Sequence, residues 1–158
     1  MSREVTDQRR FGGRVDEQVR EAARFLDFSL ARGSTVIGVE RRDAPRPTPE
    51  TLREIVANAV AHRDYYAINA PVQLRIFADR VVVLSPGGLP NGVTPSAMRV
   101  GISVRRNPFL VQHLAEQRLV DALGRGIVIA IEEALELGLQ EPRIATPDGF
   151  VEVTLPTV

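Results

Sequence analysis

The stretch "LREIVANAVAHRDYYAIN", residues 52–69, carries two spellings at once. Its end, His62-Arg63-Asp64 followed by Asn69, fits the protein-kinase catalytic loop H-R-D-x-x-x-x-N, with Asp64 as base and Asn69 as metal ligand. Its beginning is helical: Leu52, Ile55, Val56, Ala59 and Val60 make one apolar stripe. At roughly 100° per residue, Glu54 and Asn58 point away from that stripe and lie over each other at i, i+4.

The rest of the chain decides against a kinase. At 158 residues it is one domain, too short for two lobes. It has no lysine, so all 20 basic residues are arginine, and neither a phosphate-binding strand lysine nor a G-K-[ST] loop exists. "PDGF" at 147–150 is not D-F-G.

The formal net charge is zero, which gives no push towards nucleic acid or an anionic membrane. Without cysteine there are no disulfides, Cys–zinc sites or thiol catalysis. No apolar run has the length of a membrane span, and the arginine-rich start has no signal-peptide core. A soluble, cytoplasmic domain of bacterial type is expected, with no membrane partner.

Outward from the opening stretch, Thr48 and Pro49 give the helix a cap and a first-turn proline. Upstream, residues 1–13 read as a loose arm or the stub of a longer protein, and 14–158 as the folded domain. Val15 to Leu30 has helical spacing with Gly33 as its stop, "STVIGVE" (34–40) reads as a strand, and 41–50 as a Pro-rich connector. Downstream, 71–86 reads as a hairpin turning near Asp79, with a second strand so apolar that it is expected to be central. Residues 87–106 form a long loop rich in Gly and Pro, the kind that is more often functional than decorative. Asn107-Pro108 repeats the cap signature before a helix to about Gln117, Arg125–Leu137 is a further helix ended by Gly138, and 149–156 is a last strand. Helices and hairpins mix without regular βαβ alternation, so the fold class is α/β: a two-layer α/β sandwich with a mixed sheet.

Three stretches carry candidate chemistry: Glu54 and Asn58, Gly87-Gly88, and Gly124-Arg125-Gly126. Each has a bland reading alone, as a solvated helix face, a turn and a helix break. Together they fit a phosphate site. A carboxylate can activate water, and an amide oxygen is a hard ligand suited to Mg²⁺. Glycines let backbone N–H groups approach phosphates, and a helix opening at Gly124–Gly126 aims its N–H groups at an anion. Arg105, Arg106 and Arg125 are fixed cations that could neutralise a triphosphate, though any one of them alone reads more readily as surface charge.

The residues "LREIVANAVAHRDY", "VQLRIFADRVVVLSPGGLPNGVT", "RRNPFLVQHL" and "LVDALGRGI" resemble the C-terminal domain of RecG-related DNA helicases and transcriptional regulators. That family is similar to the ATPase superfamily of gyrase, the heat-shock chaperone, histidine kinases and MutL, and the likeness runs from about Phe11 to Leu155. It implies a Bergerat-type (histidine-kinase-like ATPase) fold, with ATP and Mg²⁺ held between helices and sheet under a mobile lid. In that likeness Glu54 is the general base, Asn58 the Mg²⁺ ligand, Gly87 and Gly88 the first glycine box, and Gly124 and Gly126 the second. The lid is 91–106, with 91–104 expected to be less ordered without ligand. The kinase spelling is then the tail of a helix, and Arg63 and Asp64 are expected to pair there.

This sequence departs from the superfamily in having Leu84-Ser85-Pro86-Gly87-Gly88 where a carboxylate would read adenine, and Asp121 where relatives carry Glu. The resemblance implies an ATP-binding regulatory domain with weak or no hydrolysis, a homodimer, and DNA contact through an upstream domain rather than this one. No helicase motif is present. The alternatives are a degenerate ATPase-like fold acting as an oligomerisation or interaction module, and a helix-turn-helix over Asn107–Leu137.

Overall fold

In the computed structural model, residues 9–31, 35–37, 40–42, 45–90, 92–121 and 123–157 are described. The order is α1 (Val15–Ala31), β1 (Thr35–Ile37), β2 (Glu40–Arg42), α2 (Pro49–Ala61), β3 (Gln73–Ile76), β4 (Arg80–Pro86), α3 (Pro95–Arg99), α4 (Pro108–Glu116), α5 (Gly126–Glu136), β5 (Arg143–Ala145) and β6 (Phe150–Pro156). Gly33, expected to stop α1, lies outside the described residues, as do residues 1–8 of the expected arm. Phe11, at the arm's other end, does not hang free: it packs against the core, with its ring 5.9 Å from that of Phe25.

Helix α2 is the central element. It begins as its sequence dictates, with Pro49 in the first turn and the Thr48 hydroxyl accepting from the Thr51 N–H at 3.3 Å. Glu133 of α5 reinforces this start, its carboxylate accepting from the Thr48 N–H and both threonine hydroxyls. Leu52, Ile55 and Val56 are almost fully buried, each contributing on the order of 1.5–3 kcal/mol of burial. α2 packs on α1, α4 and α5 and lies against β4.

The sheet has the order β3-β4-β6-β5, and every pairing described is antiparallel. The architecture of helices against a sheet agrees with an α/β arrangement, but the mixed sheet expected from the sequence is corrected to an antiparallel one. Strand direction is set by how the chain returns: β3 and β4 form a hairpin, and β5 and β6 another across the 3₁₀ turn Pro147–Gly149. β4 is interior, and Val81 to Pro86 are all buried, as its unbroken apolar run requires. Val81 and Val83 join Val153 and Leu155 in the main core, while Val82 and Leu84 face the other side. There Arg75 and Thr154 flank Val82, and Gln73 and Glu152 flank Leu84.

Two smaller expectations change, and one further strand, β5, has no counterpart in the sequence reading. The single strand over 34–40 is two short strands, β1 and β2, and β2 extends into the expected connector. β5 is too short to give a sequence period. The loop over 87–106 carries α3, whose Thr94 hydroxyl accepts from the Ala97 N–H at 3.1 Å.

The α2 cap should be measurable. Thr48→Ala removes both the cap and one partner of Glu133, so urea denaturation should show a loss of about 1–2 kcal/mol.

Candidate functional site

One cleft, about 790 Å³ including its open mouth, lies between α2 and the sheet beneath the α3 segment. Asn58 and His62 line it from α2 and the residue after it, Val83 and Ser85 from β4, and Gly88 from the turn that follows. Met98, Ile102 and Val104 form its roof, and Gly124, Gly126 and Ile127 its end at the start of α5. The motifs are 30 or more residues apart in sequence, yet Asn58, Gly88, Gly124 and Gly126 share one wall system.

Glu54 does not line that cleft. It is only 9% exposed and sits under the start of α5, both carboxylate oxygens engaged. Oε1 accepts from Asn58 Nδ2 at 2.9 Å, and Oε2 accepts from the Asp121 N–H at 2.8 Å. Burial pushes its pKa above the usual carboxylate range, while the Asp121 N–H and the Asn58 amide pull it back. A periodicity argument places a side chain on a face but cannot show that another loop covers that face, so Glu54 reads as exposed from sequence.

Asp121 organises the loop above it. Its N–H goes to Glu54, its carboxylate accepts from the Leu123 N–H at 3.0 Å and from Arg125 Nε at 3.4 Å, and its carbonyl takes the Gly124 N–H at 3.1 Å. Gly124 has φ +72, and a Cβ there would lie 3.1 Å from that of Ser103. At Gly126 a Cβ would come within 2.6 Å of both Asn58 Nδ2 and Glu54 Oε1.

The three arginines stand in different surroundings. Arg106 donates to the Gly88 carbonyl and faces Asp64 at 3.8 Å, Arg125 holds Asp121, and Arg105 is exposed. None of the three lines the cleft. Gly87, with φ +97, supports the site from behind: its N–H reaches the Gly149 carbonyl at 2.8 Å and its Cα packs on Asp64. Asp64 therefore pairs with Arg106 rather than with Arg63, which instead donates to the Ala67 and Ala70 carbonyls.

Asn107 was expected to cap α4, but its side chain donates to the Ala61 and Arg63 carbonyls, both at 2.8 Å, closing the C-terminal end of α2. At the other side of the roof, Arg99 binds the Pro142 carbonyl at 3.2 Å and pairs with Glu141. Among the described residues no group of three or more His, Cys, Asp or Glu is placed to hold a metal. No described helix is long and apolar enough to cross a membrane.

Two measurements follow from this geometry. Gly126→Ala forces a methyl into Glu54 and Asn58 and should cost about 1–3 kcal/mol, whereas Gly88→Ala meets nothing within 4 Å and should change stability little. His62 is held below its usual 6.5 by burial and by Arg106 and Arg105. Its contribution to stability is therefore complete above pH 6.5 and lost as pH falls through its depressed folded value. Subtracting the denaturation profile of His62→Asn from that of the native chain should isolate this acid-side loss.

The comparisons with known proteins agree with the motifs. Residues 69–155 match the profile described as "Putative ATP-dependent DNA helicase recG C-terminal", a stretch that includes all four glycines but begins after Glu54 and Asn58. The fold is similar to that of the DIP2311 protein from Corynebacterium diphtheriae, with TM-score 0.72 and 26% identity over 89% of this chain. The present chain spans only 28% of that protein's chain. No curated protein matches it. With more than half of its length matched, the chain belongs to the RecG C-terminal family.

Proposed function

We propose that this chain is a nucleotide-binding, ATPase-like regulatory domain that takes ATP with Mg²⁺, turns it over slowly or not at all, and works within a transcriptional regulator or RecG-related protein of the cytoplasm. The observation that carries this is the convergence of Asn58, Gly88, Gly124 and Gly126 on one cleft from three separate segments. The donor set fits. Asn58 turns its Nδ2 towards Glu54, leaving Oδ1 as a hard donor for the metal. The N-terminal N–H groups of α5 supply an anion site at Gly126. The Asn58 amide oxygen would hold Mg²⁺, which would supply charge neutralisation for the phosphates.

The apolar lining from Ile55, Val83, Met98 and Ile127 suits the faces of a base, and Ser85 is its polar end. The Ser85 hydroxyl donates to the Ala59 carbonyl at 2.7 Å, which leaves its oxygen as an acceptor for an exocyclic amine. A neutral acceptor there supports a weak preference among bases. The committed oxygens of Glu54 support slow turnover, because a general base needs one of them at the attacking water. Homodimerisation, and DNA contact through other parts of a longer chain, belong to the same proposal.

A second reading, as an interaction module, is favoured by Tyr66, Ile68 and Phe109, which are 97%, 81% and 87% exposed. A thermal shift separates the two. Mg²⁺ with ATP, ADP or GTP at about 100 times Kd should stabilise by about 2.7 kcal/mol. Calorimetry that finds no binding at millimolar nucleotide would leave the interaction module standing.

A further inference from the structure

Glu54 is a carboxylate buried in the middle of a helix, beside the proposed nucleotide cleft but not in it. An ionised carboxylate is acceptor-only, and here each oxygen meets a different donor. One donor, the Asp121 N–H at 2.8 Å, is backbone and cannot be turned round. The other, Asn58 Nδ2, also serves the Glu54 carbonyl at 2.9 Å, so two acceptors agree on which way the Asn58 amide points. Gly126 closes the arrangement, since its Cα rests on Glu54 and Asn58 with no room for a methyl.

We propose that Glu54 is a positioning residue: its two oxygens together fix the Asn58 amide with Oδ1 towards the cleft and fix the Asp121 loop that launches α5. The consequence for ligand binding rests on the nucleotide reading above. Glutamine in its place has the same shape but one acceptor and one donor. If its oxygen takes the Asp121 N–H, its NH₂ group faces the Asn58 NH₂, and Asn58 has to turn its oxygen away from the cleft. The reverse arrangement would set its NH₂ against the Asp121 N–H, a backbone donor that cannot turn, so Asn58 is the group that yields. The metal half of the site is then lost, although no charge in contact with phosphate has been removed.

The test uses the full chain and two kinds of readout. Without nucleotide, NMR of the native protein should show a slowly exchanging Asn58 side-chain amide proton and a protected Asp121 amide. In Glu54→Gln, exchange of the Asn58 side-chain amide should rise by about tenfold or more, as a local opening. Titration with ADP, in Mg²⁺ and then in EDTA, should give an affinity gain from Mg²⁺ in the native chain. That gain should collapse in Glu54→Gln to the level of Asn58→Ala, and the double variant should be no worse than Asn58→Ala alone. A purely structural residue would weaken ADP binding equally with and without Mg²⁺, and that result overturns the proposal. So does a Glu54→Gln variant that keeps the native Mg²⁺ gain. If the native chain binds no ADP, the nucleotide reading fails, and the exchange measurement still decides whether Glu54 positions Asn58 and Asp121. If Glu54→Gln does not fold, fast averaged exchange of the native Asn58 side-chain amide is enough to reject the role.

Discussion

A buried carboxylate has to be given donors or it will take a proton, and the contact of Glu54 with Asn58 and Asp121 is the constraint around which this fold is arranged. It fixes how α2 faces the start of α5. The requirement then spreads: Gly126 must lack a side chain, Asp121 must form a tight loop, and α2 must present its apolar stripe to β4 and the other helices. Glu133 ties the same two helices a second time at the N-terminal end of α2. The cleft lies on the other side of the Glu54 contact, towards the C-terminal end of α2, as a gap between α2, the start of α5 and the sheet.

Much of this fold was legible because local chemistry and tertiary role coincide. Thr48-Pro49 starts a helix wherever it lies, Gly138 at φ +69 ends one, and the uninterrupted Val81–Leu84 run requires cover on both faces. Gly124 and Gly126 were legible for the same reason, since a positive φ or a close approach excludes side chains whatever the partner. Outside the 71–86 hairpin strand direction was not, because period-2 alternation is identical in parallel and antiparallel ladders. α3 was missed although Thr94-Pro95 repeats the signature read correctly at Thr48-Pro49. Its five residues are too few to show an apolar period. Asn107 shows the limit of local rules: the same side chain can cap the helix that follows it or reach another helix's carbonyls, and only the tertiary arrangement decides.

The arginines illustrate a related point. In a chain without lysine, the planar, multi-donor guanidinium does work that is structural before it is electrostatic. Arg63 gathers two carbonyls of the 67–70 turn, Arg106 holds the Gly88 carbonyl, and Arg99 holds that of Pro142. Sequence offers no way to tell such a carbonyl clamp from a phosphate ligand, because both require the same fork of N–H groups.

The roof of the cleft is tied on both sides, by Arg99 to the Glu141–Pro142 segment and by Asn107 to the end of α2. A covering anchored at both edges has less freedom to lose when something settles beneath it, so part of the ordering cost of binding is already met by the fold.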